Sequence, residues 1–168
     1  MVWLRFLMLK VSSAACVHFH RLALVVPAIL LSNTSSLAQN ARSPFTQAQV
    51  TAGHASYFTY CSQCHGESLL GGGEVPPLTG PSFAHDVSKE TIRDFYRYVS
   101  TAMPQGLEGD LKPEQYSDII TFLLAANGAK PGSMPFDKNS SEVIGSIANG
   151  VEVPAVVNAP VPQGGAAQ

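Results

Sequence analysis

The chain has 168 residues, 45% of them hydrophobic and 13% charged. That length holds one ordinary domain, and so low a charged content excludes a solvated coiled coil. Ten lysines and arginines against twelve acidic residues lack the basic excess of a nucleic-acid binder, and three cysteines are too few for the disulfide framework of a small secreted scaffold.

The first segment reads as a leader. Arg5, Lys10 and Arg21 are the only ionised side chains before position 42. Residues 22–31 are an apolar run broken by Pro27, followed by a polar stretch and by Ser36-Leu37-Ala38, small at its first and third positions. These are the parts of a secretory signal peptide, residues 1–38, cleaved after Ala38. About ten apolar residues span roughly 15 Å as a helix, half the hydrocarbon thickness of a bilayer; an uncleaved anchor is the alternative. Cleavage removes three of the ten basic residues and no acidic one, leaving seven against twelve and a net charge of −5. Trp3 and Cys16 leave with the leader, so the mature chain holds two cysteines, Cys61 and Cys64. In an oxidising compartment two idle thiols pair, and these two need a use.

The fold lies in residues 39–129. Thr46 stands at an N-cap position with Gln49 three residues on, a capping box. It opens a helix on which Val50, His54, Tyr57, Phe58 and Cys61 recur at three- and four-residue spacing. Gly53 interrupts this helix at a cost near 1 kcal/mol relative to alanine, which marks close approach by another helix. A second helix is predicted from Ser88 as N-cap to about Ser100, with Ile92, Phe95, Tyr96 and Val99 on one face. A third starts at Pro113, suited to a first helical turn. It runs to about Ala126 with Tyr116, Ile119, Ile120, Leu123 and Leu124 inward, Phe122 alongside, and Gly128 as its stop. The segment between the first two helices is too rich in Gly and Pro to pack much by itself. Residues 130–168 form a low-complexity tail whose five prolines, from Pro131 to Pro162, rule out a long helix. Residues 142–148 suit one helical turn or an extended arm, and the chain beyond Asn149 reads as mobile. The expected fold is therefore all-α, a small domain of three main helices. A core this thin calls for a metal or cofactor.

Cys61-Ser62-Gln63-Cys64-His65 names it. C-x-x-C-H is the pattern of covalent haem c attachment. Two thiols three residues apart add to the two vinyl groups on one porphyrin edge, and the following histidine turns under the ring to meet the iron. A thioredoxin-like pair opens a helix after a strand, where the helix N-terminus lowers the thiol pKa; here the pair closes one. A structural zinc site needs four ligands, and only His54 and His85 remain to complete it.

The segment from about Thr46 to Gly128 resembles the class I cytochrome c family. The resemblance rests on Gly53-x-x-x-Tyr57-x-x-x-Cys61-x-x-Cys64-His65-Gly66, on Pro76-Pro77-Leu78-Thr79-Gly80, on Met103-Pro104-x-Gly106, and on residues 116–128. It is closest to single-haem cytochromes that serve bacterial periplasmic dehydrogenases. It implies one haem c joined to Cys61 and Cys64, with His65 as proximal and Met103 as distal ligand. It also implies that Gly53 and Tyr57 cross the C-terminal helix near Phe122, and that the carbonyl of Pro76, or of Pro77, accepts the Nδ1 proton of His65.

Met103 also stands on its own residues. Pro104 disfavours helical geometry at the methionine, which places a thioether on a loop able to fold over the second haem face. Met134, in the tail, is the other methionine of the mature chain, and His54 and His85 are the remaining alternatives; both histidines read as half-exposed side chains. The Gly71-Gly72-Gly73 run lacks the lysine and the preceding strand of a phosphate loop. Lys89, Arg93 and Arg97 are interleaved with Glu90 and Asp94 at pairing distance, the pattern of a solvated face.

With histidine and methionine on both axial positions no open site remains, and methionine raises the potential. The expected function is electron transfer rather than catalysis. The chain is read as an exported, periplasmic carrier, or a dehydrogenase subunit, moving electrons from a periplasmic dehydrogenase to an oxidase or another cytochrome. A haem sensor or peroxidase-like domain is the alternative, and it requires a displaceable Met103.

Overall fold

The computed structural model describes residues 44–162; the leader, with Cys16 and the cleavage position, lies outside them. The first helix, α1, spans Gln47–Tyr60. Its capping box is complete: the Gln49 N–H donates to Thr46 Oγ1 (3.3 Å), and the Thr46 N–H donates to Gln49 Oε1 (3.2 Å). Val50, Gly53, His54 and Tyr57 form its buried face. Phe58, expected on that face, is 40% exposed, because the burying stripe runs through Gly53 instead. Cys61 caps the helix, and a single further turn, α2 (Ser62–His65), carries Cys64 and His65.

A short helix, α3 (Gly80–Val87), follows where the sequence reads as loop. Pro81 sits in its first turn, where a missing N–H costs nothing. Ser88 ends α3 rather than opening the next helix. That helix, α4 (Ile92–Ala102), is capped by Thr91, whose hydroxyl accepts from the Asp94 N–H at 3.1 Å. The three-residue displacement has a long-range cause. The tail packs along residues 88–90, which turn away from the end of α3, the Ile144 N–H donating to Glu90 O (2.9 Å) and the Gly145 N–H to Ser88 O (3.0 Å). The last long helix, α5 (Pro113–Ala126), begins at its proline, with the Lys112 N–H donating to Gln115 Oε1 at 3.0 Å.

Helices α1 and α5 cross at Gly53. His54 and Tyr57 of α1 both meet the Phe122 ring of α5, with centroids at 4.7 and 5.3 Å. His54 is thus 7% exposed and stacked, not half-exposed as its sequence context suggests.

From Ile119 to Ala126 every residue of α5 is buried. A helix apolar all round must be covered all round, and the tail supplies the second cover. It passes the start of α1, where the Gly132 N–H donates to Phe45 O (2.7 Å) and the Phe136 N–H to Gln49 Oε1 (2.9 Å). It then satisfies two of the free N–H groups at the α4 N-terminus, Ile92 onto Glu142 O and Arg93 onto Ser140 O. A 3₁₀ turn, Ile144–Ser146, and a last helical turn, α6 (Pro154–Val157), complete the path. The Val153 N–H reaches Ala126 O at the end of α5 (2.9 Å). Ile144 is fully buried and Val157 is 6% exposed. The stretch beyond Asn149, expected to be mobile, packs on the core as far as α6. Among the described residues the only β pairing is three isolated bridges, and the fold is all-α.

Candidate functional site

The C-x-x-C-H segment is fastened on both sides. Ahead of it, the Tyr57 hydroxyl donates to Gly66 O at 2.6 Å. Burial pushes this phenol above its ordinary pKa, so it serves as a neutral donor. Behind it, the Gly71 N–H donates to His65 O (2.8 Å) and the Leu78 N–H to Leu69 O (2.7 Å). Gly71 is at φ +63°, and a β-carbon there meets Val75 O at 2.3 Å. The glycine run is therefore a tight turn that brings residues 75–78 back beside His65.

That return orients the imidazole. Pro76 O lies 3.1 Å from His65 Nδ1, the contact implied for Pro76 rather than for Pro77. A carbonyl partner makes Nδ1 the protonated nitrogen and leaves Nε2 with its lone pair, the form in which imidazole binds a metal. The prolines are steadied from α5. Asn127, fully buried, donates through Nδ2 to Leu78 O (2.9 Å) and accepts at Oδ1 from the Gly80 N–H (3.0 Å). Sequence reasoning noted the glycine that follows Asn127 and missed the asparagine, whose partners lie almost fifty residues away.

Cys61, Cys64, His65 and Met103 line one cavity of about 1150 Å³. Met103 reaches it as the C-cap of α4, in extended geometry (φ −137°, ψ 153°). Apolar side chains line much of the rest, with Phe83, Phe95, Val99, Ile119 and Leu123 among them; Phe83 and Phe95 meet edge to face at 5.9 Å. The alternatives to Met103 fall elsewhere. Met134 is exposed, His85 is exposed beside Asp86, and His54 is stacked in the α1–α5 crossing. None of the three borders the cavity. Burial, and then the neighbouring Cys64 thiol, push Cys61 up to about 12. That is the opposite of the lowered pKa that makes a thiol-redox pair reactive.

Residues 48–123 match the family described as cytochrome c oxidase, cbb3-type, subunit III. This segment is a c-type cytochrome domain. No curated protein and no solved structure matches the chain significantly. A c-type cytochrome carries covalently bound haem c, and the residues of this cytochrome domain fit it. The cavity exceeds the roughly 300–1,000 Å³ of ordinary ligand pockets, which suits a macrocycle. Two thiols stand at its edge, and an imidazole beside them has its outer nitrogen already engaged. The cytochrome domain is an electron-transfer haem protein rather than an enzyme. Its rim is acidic: Glu74, Asp86, Glu90 and Asp94 border the cavity against the single basic residue Arg97. Arg97 is itself paired with Asp94 at 2.8 Å, and the Thr91 hydroxyl bonded to Asp94, helped by Arg97, holds that carboxyl below its ordinary pKa.

Proposed function

We propose that the protein is an exported cytochrome with one haem c, held by thioethers to Cys61 and Cys64 and by His65 and Met103 as axial ligands. In this reading it is a periplasmic carrier, or the cytochrome subunit of a dehydrogenase, passing one electron at a time to an oxidase or another cytochrome. The observation that carries it is the position of Met103. The loop after α4 brings Met103 to the same cavity that His65 borders.

Haem supplies one-electron Fe(III)/Fe(II) chemistry when bound. What the chain does around it follows from its own residues. Pro76 O holds the His65 proton on Nδ1, the apolar walls exclude water, and the acidic rim presents one sign of charge to a docking partner. Association of this kind is brief and uses a small contact area, and the rim favours a partner with a basic face. The matching family is named for an oxidase subunit, which supports an oxidase as the acceptor. Class I membership rests on the motif order from Gly53 through Met103 to α5, and export on the leader in residues 1–38.

The test is the absorption spectrum, oxidised and reduced, of the protein exported by cells that mature c-type cytochromes, with Met103→Ala beside it. A c-type reduced spectrum, and a ferric methionine–sulfur band that the variant lacks, supports the reading. Covalent haem without that band, together with ready binding of carbon monoxide or cyanide, turns it to a sensor or peroxidase-like domain. Colourless protein with free thiols overturns it.

A further inference from the structure

Tyr116 sits in the first turn of α5, 3% exposed, its ring edge-on to Tyr96 at 6.5 Å. Its hydroxyl makes two hydrogen bonds of 3.0 Å. It donates to the carbonyl of Met103 and accepts from the N–H of Gly109. Both partners are backbone groups of the loop that joins α4 to α5. The other bonds of this loop are local: Leu107 N–H onto Pro104 O, Asp110 N–H onto Leu107 O, and Gly106 N–H onto Glu108 Oε1. They shape the loop without fixing where it lies on the body of the domain. Leu111, 7% exposed, anchors the far end of the loop in the core, and the Tyr116 oxygen ties down the Met103 end, because the ring beneath that oxygen belongs to a buried helix.

We propose that Tyr116 is the positioning residue for Met103, closing the loop onto α5 so that the thioether stays over the cavity. The proposal rests on the reading of Met103 as distal ligand. A loop held at both Met103 and Gly109 cannot lift at either end alone. Without the hydroxyl, the Met103 carbonyl and the Gly109 amide lose their partner inside the protein and find water only when the loop rises. The open form, with the methionine withdrawn, is the form an outside ligand binds, and the apparent affinity of that ligand scales with the open fraction. Two hydrogen bonds of ordinary net strength shift such a fraction roughly tenfold, a change of about 1.4 kcal/mol.

The experiment compares cyanide affinity of the ferric haem-loaded protein in wild type, Tyr116→Phe and Met103→Ala, with the methionine–sulfur band recorded for each. Phenylalanine keeps the buried ring and removes one oxygen, so covalent haem and helix content are expected to match wild type. Cyanide affinity is expected to rise roughly tenfold while a weakened sulfur band persists. Ile144→Ala serves as the control for lost stability alone. It acts at the N-terminal end of α4, roughly 16 Å along the helix from Met103, and is expected to leave cyanide affinity unchanged. Wild-type affinity in Tyr116→Phe, with a band that only Met103→Ala abolishes, overturns the positioning role and leaves Met103 as ligand. A wild type that lacks the band, with Met103→Ala indistinguishable from it, overturns the ligand reading itself. If Tyr116→Phe fails to accumulate, amide exchange in the wild type decides: Gly109 is expected to be protected relative to Glu108, and equal exchange of the two refutes the clamp.

Discussion

Gly53 and Asp118 touch backbone to backbone: a β-carbon added to Gly53 meets the Asp118 carbonyl oxygen at 1.8 Å and its carbon at 2.4 Å. The contact is between main chains, so no rotamer change relieves it. Gly53→Ala gains about 1 kcal/mol of helix propensity and loses more by forcing α1 and α5 apart, since overpacking alone costs about 1–3 kcal/mol. Separation also loosens His54 and Tyr57 on Phe122. The expected net loss is about 2 kcal/mol, measured by urea unfolding of the haem-loaded protein. Stability equal to wild type would show that the helices tolerate the wider spacing.

The Asp118 carboxyl, on the same turn, is pushed up to about 6 by burial, against the opposing hydrogen bond from Gln49. In the unfolded chain it titrates near 3.8. Between these values the folded protein keeps a proton that the unfolded chain has released, so this contribution is complete below about pH 4 and falls as pH rises towards 6. A shift of two units corresponds to about 3 kcal/mol; a half-exposed carboxyl screened by water yields on the order of 1 kcal/mol. Asp118→Asn is therefore expected to raise stability at pH 7 by that smaller amount. Burial lowers the pKa of His54 from 6.5, and its contribution runs the other way, falling as the solution becomes more acid than 6.5. Unfolding of Asp118→Asn at a series of pH values should lack the fall in stability between about pH 4 and 6 that Asp118 causes.

What the sequence disclosed, it disclosed through local chemistry. C-x-x-C-H is a pattern complete within five residues, Thr46 and Gln49 satisfy each other within one turn, and Pro113 opens a helix because its missing N–H is harmless there. The misreadings share a different origin. Ser88 and Thr91 are both good N-caps, and the choice between them is made by residues 143–145, fifty positions away. The tail reads as loose because its prolines forbid long helices. Its order comes from the unmatched N–H groups of α4 and the last carbonyls of α5, which no local pattern records. His54 looks like a surface histidine until Phe122 covers it. Of the candidate site, Cys61, Cys64, His65 and Met103 stand in patterns the chain itself displays, whereas the Asn127 side chain and the Tyr116 hydroxyl bond to backbone partners that only folding brings near.

The tail's contribution is measurable at Ile144. Its side chain is fully buried, and its N–H to Glu90 O bond helps hold the turn of residues 88–90 ahead of the Thr91 cap. Truncation to alanine leaves a cavity in the core beside the 3₁₀ turn, and buried isoleucines cost about 2–5 kcal/mol when so shortened. Ile144→Ala is expected to lose about 3 kcal/mol while keeping the haem-loaded spectrum. A loss below about 0.5 kcal/mol, the scale of neutral surface changes, would mean that the tail rides on the domain without stabilising it.

Charge at the cavity rim sets the last expectation. Glu74, Asp86, Glu90 and Asp94 face the mouth with Arg97 alone opposing them, so a reagent approaching there meets a net negative field whatever the sign of the far surface. Small inorganic oxidants report this directly, without knowledge of the natural partner. A cationic cobalt(III) complex should oxidise the reduced protein more slowly as salt is added, and an anionic iron(III) complex faster. The Debye length shortens from about 30 Å at 0.01 M to about 8 Å at physiological ionic strength, and a change of at least about threefold in each rate is expected from a field of this kind. Glu90→Lys should flatten both dependences, because it replaces an exposed acid on the rim and leaves Cys61, Cys64, His65 and Met103 in place. If both reagents slow with salt, or neither responds, electrons leave the protein by another face and the basic-partner reading falls.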